Sequence, residues 1–260
     1  MKFKTSDGVD IFYETYGNKE ESPLFLIHGL GADHKMWDPQ ISKYPSKGYR
    51  LIVPDLRGHG ESSNVGSFRI GDCARDIKEL SDKLGLEKFS LAGVSLGGAV
   101  VQQFACDYPD KLDKLVIADS FSSVSTLTQM AAGWMQWLTM KITPDLLERS
   151  LKQVYKGPER EKALQYFLRS YKKSDNEQLL MARAEINRFD ITGRLEKIEA
   201  PTMVVVGDGF GQFAIKMARK TASLIKNSQF RILKHGCDPS NLVVPEHFDN
   251  VVLDFLKKQA

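Results

Sequence analysis

The feature that most constrains the fold is an alternation of short apolar runs with amphipathic helical patterns along most of the chain. Six runs have the length and composition of buried strands, at residues 24–27, 51–53, 89–92, 115–118, 203–206 and 230–233. They are continuously apolar, as strands buried on both faces of a sheet are, and helices between such strands are typical of a parallel sheet. The sequence therefore predicts an α/β protein with a mostly parallel, doubly wound sheet, preceded by a hairpin over residues 3–16.

One long stretch interrupts this alternation. Residues 121–189 have a helical pattern throughout, without a strand candidate, and are too many for an ordinary connection between a strand and a helix. We therefore expect residues 1–120 and 190–260 to form an α/β core and residues 121–189 to form an inserted helical cap. Residues 130–140 are apolar nearly all round, so this helix either roofs a ligand pocket or packs ordinarily against the core.

The strongest functional signal is the string Gly93-Val94-Ser95-Leu96-Gly97-Gly98, which directly follows one predicted strand and begins a helix. A serine on such a turn has a strained backbone and an exposed hydroxyl, and the flanking glycines allow the turn to close. The N–H groups at the start of the helix favour a developing negative charge. We predict Ser95 as a nucleophile and the Leu96 N–H as an oxyanion donor.

Two further motifs follow the first two apolar runs. In His28-Gly29-Leu30-Gly31 the glycines allow the backbone to approach a reacting carbonyl, so the Leu30 N–H is predicted as the second oxyanion donor. We interpret His28 as a structural residue that holds this loop, and we expect His34 to face solvent. The charged residues within positions 54–62 are expected to brace the neighbouring loops.

Together these strings resemble the α/β-hydrolase superfamily, in particular its small capped esterases, lactonases and perhydrolase-like members. The resemblance runs along essentially the whole chain and includes Pro201-Thr202 before a late strand and Pro245-Glu246 at the start of the last helix. It implies hydrolysis of a small apolar ester, lactone or other acyl compound through an acyl-enzyme on Ser95. It also implies that no metal and no organic cofactor take part.

The sequence departs from the family pattern at the catalytic acid. The family triad runs in the order serine, acid, histidine, and the position expected for the acid holds Phe210. Asp208, two residues earlier, and Asp119, at the end of an earlier strand, are alternative acids. Each of these aspartates has an equally good alternative role in a turn or at a helix cap.

The catalytic base departs from the pattern as well. Counting back from Pro245 puts Asp238 at the family's histidine position, whereas matching the surrounding Gly and Pro puts Cys237 there. His235 lies in the same loop, two or three residues too early. We retain His235 as the candidate base, a role that requires the loop to bring its ring within roughly 2.6–3.2 Å of the Ser95 hydroxyl. The alternative is a surface histidine.

Three hypotheses follow from a retained serine with a substituted acid and base. The chain is a serine hydrolase with an unusual base, a degenerate member of the fold that binds a ligand with little turnover, or an engineered hydrolase with an altered site. Loss of a triad member leaves about 10³–10⁴-fold acceleration over water, from the oxyanion hole and binding. Weak activity is therefore compatible with the substitutions.

Composition narrows the set of partners. The chain has 36 Lys and Arg against 33 Asp and Glu, and it has no basic stripe interleaved with aromatic residues, which argues against a nucleic-acid partner. No apolar run approaches the roughly 18 residues of a membrane span, and the first eight residues lack the apolar stretch of a secretion signal. The wide spacing of Cys73, Cys106 and Cys237 indicates neither a disulfide framework nor a zinc site. We expect a cytoplasmic protein that binds a small molecule, of undetermined oligomeric state.

Overall fold

The part of the chain that the structure describes is built around one mixed β-sheet. The computed structural model describes residues 1–123, 127–142 and 144–257. The strands are β1 Lys2–Lys4, β2 Asp10–Tyr16, β3 Ser22–Ile27, β4 Tyr49–Pro54, β5 Phe89–Val94, β6 Leu112–Ala118, β7 Thr202–Gly207 and β8 Ser228–Leu233, in the order β1-β2-β4-β3-β5-β6-β7-β8. The β1–β2 and β2–β4 pairs are antiparallel and the others are parallel. The six predicted strands and the opening hairpin are confirmed.

Helices cover both faces of this sheet. The α-helices of the described residues are α1 Asp38–Ile41, α2 Ile70–Lys83, α3 Leu96–Asp107, α4 Leu127–Ile142, α5 Pro144–Val154, α6 Glu161–Lys173, α7 Asn176–Arg188, α8 Gln212–Ser223, α9 Ser240–Val243 and α10 Pro245–Lys257. Successive side chains of a strand point to opposite faces. Accordingly, Leu91 of β5 packs in the core formed with α2, α3 and α8, whereas Ala92 packs in the core formed with α10. The predicted doubly wound architecture is confirmed.

The strand β8 differs from the expectation of burial on both faces. Among the described strands it pairs only with β7 and forms one edge of the sheet, and its Ile232 is 38% exposed. The apolar run at residues 230–233 predicted the strand correctly but not its edge position. Single exposed apolar side chains are common at protein surfaces. An apolar run therefore does not reveal whether its strand lies at the edge or in the interior of the sheet.

The helices α4 to α7 form the inserted cap between β6 and β7. An isolated antiparallel bridge between Ser123 and Asp190 joins the two ends of the insertion, close to the boundaries predicted at residues 121 and 189. Those boundaries stay a prediction. The Ser170 hydroxyl of α6 donates to the Gly31 carbonyl oxygen at 2.6 Å, which ties the cap to the loop after β3. Within the described ranges, no helix combines the length and the apolar character needed to cross a bilayer.

Candidate active site

Ser95 lies on a sharp turn between β5 and α3. Its backbone has φ 57° and ψ −117°, a conformation that a residue with a side chain rarely adopts, so the predicted strain is confirmed. The Ser95 N–H donates to the Ala118 carbonyl oxygen at 2.9 Å, and this hydrogen bond holds the turn in place. A Cβ atom at Gly97 would collide with the Ile27 carbonyl oxygen, so glycine is required there for α3 to approach β3. The local sequence therefore dictates how the hydroxyl is presented.

The turn opens on a cavity of about 530 Å³ between the carboxyl ends of the strands and the cap. This volume suits a small organic ligand. Apolar and aromatic side chains form much of its wall, among them Leu151, Val154, Phe167, Ile186, Phe189 and Phe210. Phe210 stacks on Phe121 with ring centroids 5.7 Å apart. The expected acid position is therefore an aromatic part of the cavity wall.

In the described structure, a hydrogen bond connects the side chains of Ser95 and Asp238. The Ser95 hydroxyl donates to Asp238 Oδ2 at 2.8 Å. Asp238 lies in the loop between β8 and α9, and the hydroxyl of Tyr155, the residue directly after α5, fixes this loop by donating to the Asp238 carbonyl oxygen at 2.6 Å. Of the two residues proposed for the family's histidine position, Asp238 is the one that contacts the serine. Cys237 also lines the cavity, and burial raises the pKa of its thiol to about 11.

The surroundings of Asp238 favour its neutral form. Burial, and next the nearby Asp119, raise the pKa of the Asp238 carboxyl to about 8, while the hydrogen bond from Ser95 and the charge of Arg183 act in the opposite direction. At pH 7 most molecules therefore carry a protonated Asp238. At or above pH 8 a large fraction is ionised and can accept the Ser95 proton.

Asp119 stands at the end of β6 with φ 47°. Its carboxyl oxygens accept hydrogen bonds from the Gly207 N–H at 2.9 Å, the Ser240 N–H at 2.7 Å and the Ser240 hydroxyl at 3.0 Å. Burial raises the pKa of Asp119, and these donors offset part of that rise. Asp119 thus joins the end of β7 to the start of α9, and it contributes, after burial, to the raised pKa of Asp238.

The structure does not bring His235 to the serine. His235 is exposed, has φ 62°, and is not among the described residues that line the cavity. Its N–H donates at 2.7 Å to Oδ1 of Asp208, which is itself exposed, so Asp208 stabilises this turn. The role of His235 as a base stays a prediction, and the geometry of the site favours Asp238 instead.

The two predicted oxyanion donors lie beside Ser95. Leu30 and Leu96 both line the cavity. Neither backbone N–H has an acceptor among the residues that the structure describes, so both are available to a ligand. A Cβ atom built on Gly29 would lie 3.3 Å from the Ser95 Cβ, which shows how closely this loop approaches the serine. The oxyanion role itself remains part of the proposal below.

His28 has the structural role inferred from the sequence. Its Nε2 accepts a hydrogen bond from the Leu56 N–H at 2.9 Å, so Nδ1 carries the proton and donates to the Gly29 carbonyl oxygen at 2.8 Å. Burial lowers the pKa of this ring, which keeps it neutral. His28 therefore connects the loop after β3 to the loop after β4.

The expectation that His34 faces solvent is wrong. Its side chain is buried, and Nδ1 lies 3.0 Å from Oδ1 of Asp55. The same carboxyl accepts the His34 N–H at 2.6 Å and the Glu61 N–H at 2.8 Å. The expected bracing role of the charged loop after β4 is thereby confirmed, and its buried partner is a histidine that the sequence pattern did not connect to it.

Among the described residues, the helical cap side chains that line the cavity belong to α5, α6 and α7. None of the described α4 side chains lines the cavity, and the Trp137 indole N–H donates to the Leu180 carbonyl oxygen of α7 at 3.1 Å. The side chains at positions 130, 132, 136 and 140 lie outside the described residues. Of the two interpretations of this helix, the described side chains favour ordinary packing.

Sequence reasoning missed the polar cap residues that line the cavity, among them Arg183 and Tyr171. A signal for Arg183 was present, because it lies at helical spacing between Leu179 and Ile186, on a face of α7 that is otherwise apolar. A charged residue on a buried helix face indicates a function more often than a charged residue on a solvent-exposed face does. Tyr171 has no comparable signal in the sequence.

A model of the alpha/beta hydrolase fold matches residues 22–243, most of the chain. The chain belongs to this family. Among curated relatives it is 25% identical over 260 residues to 3-oxoadipate enol-lactonase 2 of Acinetobacter baylyi, covering 98% of this chain and 96% of the relative. It is 27% identical over 244 residues to the bifunctional esterase/perhydrolase DCH of Acinetobacter calcoaceticus, covering 86% and 88% of the two chains. A solved hydrolase structure from Pseudomonas aeruginosa has a TM-score of 0.89 at 24% identity, over 99% of this chain and 98% of that one. This α/β hydrolase thus shares its fold along its whole length with proteins described as hydrolases.

Proposed function

We propose that this chain is a serine hydrolase that cleaves a carboxylic ester or lactone through an acyl-enzyme on Ser95. The observation that carries the proposal is the 2.8 Å hydrogen bond between the Ser95 hydroxyl and Asp238 inside a ligand-sized cavity. The relatives described as an enol-lactonase and an esterase support this class of substrate. In this proposal Asp238, and not His235, accepts the serine proton.

The reaction follows from the positions of these groups. Ionised Asp238 takes the hydroxyl proton while Ser95 Oγ bonds to the carbonyl carbon, and the Leu30 and Leu96 N–H groups stabilise the resulting oxyanion. Asp238 then returns the proton to the leaving alcohol oxygen as the acyl–oxygen bond breaks. In the second half Asp238 takes a proton from water as the water oxygen attacks the acyl-serine. Asp238 then returns this proton to Ser95 Oγ as the bond between Oγ and the acyl carbon breaks and the acid is released.

The raised pKa of Asp238 is suited to this role. A serine hydroxyl is a weak nucleophile at its ordinary pKa and needs a proton acceptor, and the most effective acceptor has a pKa near the working pH. A carboxyl with a pKa of about 8 meets that condition in weakly alkaline solution. Turnover in this proposal requires the ionised form, so kcat/KM rises with pH up to about 8 and then levels off.

A second candidate function is ligand binding with little turnover. The observation that favours it is the same pKa, because Asp238 is mostly protonated at pH 7 and then cannot accept the serine proton. The two candidates differ at pH 9, where Asp238 is ionised. A hydrolase gains activity there, whereas a binding protein stays inactive.

The test combines ester hydrolysis with chemical labelling. We expect the protein to hydrolyse 4-nitrophenyl acetate at pH 9 and to react with a fluorophosphonate probe, and we expect Ser95→Ala to lose both. Ser120→Ala is the matched control, because it removes another hydroxyl from the same cavity and should leave the labelling in place. Equal labelling of the Ser95→Ala protein, or no hydrolysis at pH 9, would contradict the proposal.

A further inference from the structure

Arg183 of α7 lines the cavity and has no hydrogen-bond or ion-pair partner among the described residues. It lines the cavity together with Ser95 and Asp238. The structure records neither a hydrogen bond nor an ion pair between its guanidinium and any described residue, and its Nε is buried. Desolvation lowers the pKa of Arg183, but a guanidinium remains charged at physiological pH. The cavity therefore contains a guanidinium that has no hydrogen-bond or ion-pair partner among the described residues.

Arg57, which is buried, has carboxylate partners. The Arg57 guanidinium lies 2.6 Å from Oδ1 of Asp76 and 3.1 Å from Oδ2 of Asp7. Arg160, which also lines the cavity, donates from Nη1 to the Val154 carbonyl oxygen at 3.0 Å. A charge removed from water is costly unless it is paired, so an unpaired guanidinium in a ligand cavity indicates that the ligand supplies the partner.

The groups around Arg183 are donors or are already occupied. Asp238 forms no ion pair with Arg183 in the described structure, and its carboxyl is largely neutral at pH 7 because burial and Asp119 raise its pKa. The carboxyl of Asp119 is engaged with Gly207 and Ser240. The Tyr171 hydroxyl lines the same cavity and makes no hydrogen bond to a described residue, and burial raises its pKa to about 12, so it keeps its proton and can donate.

We propose that Arg183, assisted by the Tyr171 hydroxyl, binds a carboxylate of the substrate, so that the preferred ester or lactone is an anion. A carboxylate offers two acceptor oxygens in one plane, which matches the paired donors of a guanidinium. The reaction part of this inference rests on the proposed function, whereas the binding part does not. The proposed substrate differs from the small apolar compound expected from the sequence, because it is apolar along its chain and charged at one end.

The first experiment compares matched substrates. Mono-4-nitrophenyl adipate and 4-nitrophenyl hexanoate differ by a carboxylate in the acyl part, and 4-acetoxybenzoate and 4-acetoxybenzamide differ by one in the alcohol part. In at least one pair, the carboxylate compound should have a kcat/KM about 10- to 100-fold higher, mainly through KM, as expected for charge-assisted hydrogen bonds. Arg183→Met should abolish this preference and Arg183→Lys should restore part of it.

The control variant is Arg188→Met. It removes the same charge from the same helix, but Arg188 lies over the Trp134 ring and is not among the described residues that line the cavity. The preference for the carboxylate compound should survive in this variant. Loss of the preference in both variants would mean that overall charge attracts the substrate, and the proposed subsite would be overturned.

The second experiment measures binding without turnover. Ser95→Ala protein should bind monomethyl adipate, which carries one carboxylate, more tightly than the neutral methyl hexanoate in calorimetry, and adding Arg183→Met should remove the difference. If the protein hydrolyses no ester but shows this binding, the proposed function fails and the anion subsite stands. If esters are cleaved at Ser95 and neither matched pair favours the carboxylate, the subsite is overturned and the proposed function stands. The comparison of substrates on the unaltered protein decides this even if Arg183→Met does not fold.

Discussion

Replacing Asp238 with asparagine separates the contribution of its carboxyl group to catalysis from the effect of that group on the stability of the fold. The amide has nearly the shape of the protonated carboxyl and cannot ionise. As a general base contributes about 10²–10⁴-fold to a reaction, we expect Asp238→Asn to lower kcat/KM for ester hydrolysis by that factor at pH 9. Measurement at pH 9 matters, because the Asp238 carboxyl is then ionised in the unaltered protein.

The same substitution should stabilise the fold at alkaline pH. The pKa of the Asp238 carboxyl is raised from 3.8 to about 8 in the folded protein. Between these values the folded chain holds a proton that the unfolded chain releases, so the free energy of unfolding falls by up to about 1.4 kcal/mol per pH unit. This stability is fully present below about pH 4 and is lost as the pH rises to about 8. Asparagine avoids the loss.

Thermal melts at pH 5, 7 and 9 measure this effect. About 1 kcal/mol shifts the Tm of a domain of this size by roughly 2–4 °C, so the Tm of Asp238→Asn relative to the unaltered protein should increase by about 5–15 °C between pH 5 and 9. Asp208→Asn removes an exposed carboxyl from a neighbouring turn and controls for the loss of one negative charge. A Tm difference that does not change with pH, or nearly full activity of Asp238→Asn at pH 9, would refute the reasoning.

Three further predictions concern the base and the missing acid. His235→Ala should keep kcat/KM for 4-nitrophenyl acetate within about threefold, because its ring is exposed and outside the cavity lining; a loss of several orders of magnitude would make His235 the base. Phe210→Asp combined with Asp238→His should raise turnover at pH 7 by about 10²–10⁴-fold by restoring the family triad, and Asp238→His alone should give less; a folded double variant without any gain would contradict this. The kcat/KM of the unaltered protein should rise about tenfold per pH unit up to about pH 8, and a profile that is flat from pH 6 to 9 would exclude Asp238 as the base.

The fold could be predicted because its strands are continuously apolar and the Ser95 motif joins a strand to a helix. Local sequence determines both features, and both are confirmed. The buried state of His34 could not be predicted in this way, because it depends on Asp55, which lies 21 residues away in the chain. Burial of a polar side chain follows from its partner, and its own neighbours in sequence do not reveal that partner.

The residues of the site could be predicted in part from the sequence, but the conformation of the loops that bring them together could not. Counting along the sequence gave Asp238 as one of two residues at the histidine position, but its contact with Ser95 depends on how the loop after β8 is folded and held by Tyr155 of the cap. Arg183 shows the same limit. Its charge on an apolar helix face could be read from the sequence, whereas the cavity that it lines is formed by elements far apart in the chain.

The central claim is an acyl-enzyme on Ser95, and rapid quenching with mass spectrometry tests it most directly. The protein is mixed with 4-nitrophenyl hexanoate at pH 9, quenched in acid within milliseconds to seconds, and digested for peptide mapping. We predict one hexanoyl group per chain on the peptide that contains Ser95, and none on that peptide in Ser95→Ala. Hydrolysis that persists in Ser95→Ala, or an acyl group found only on another residue, would contradict the account.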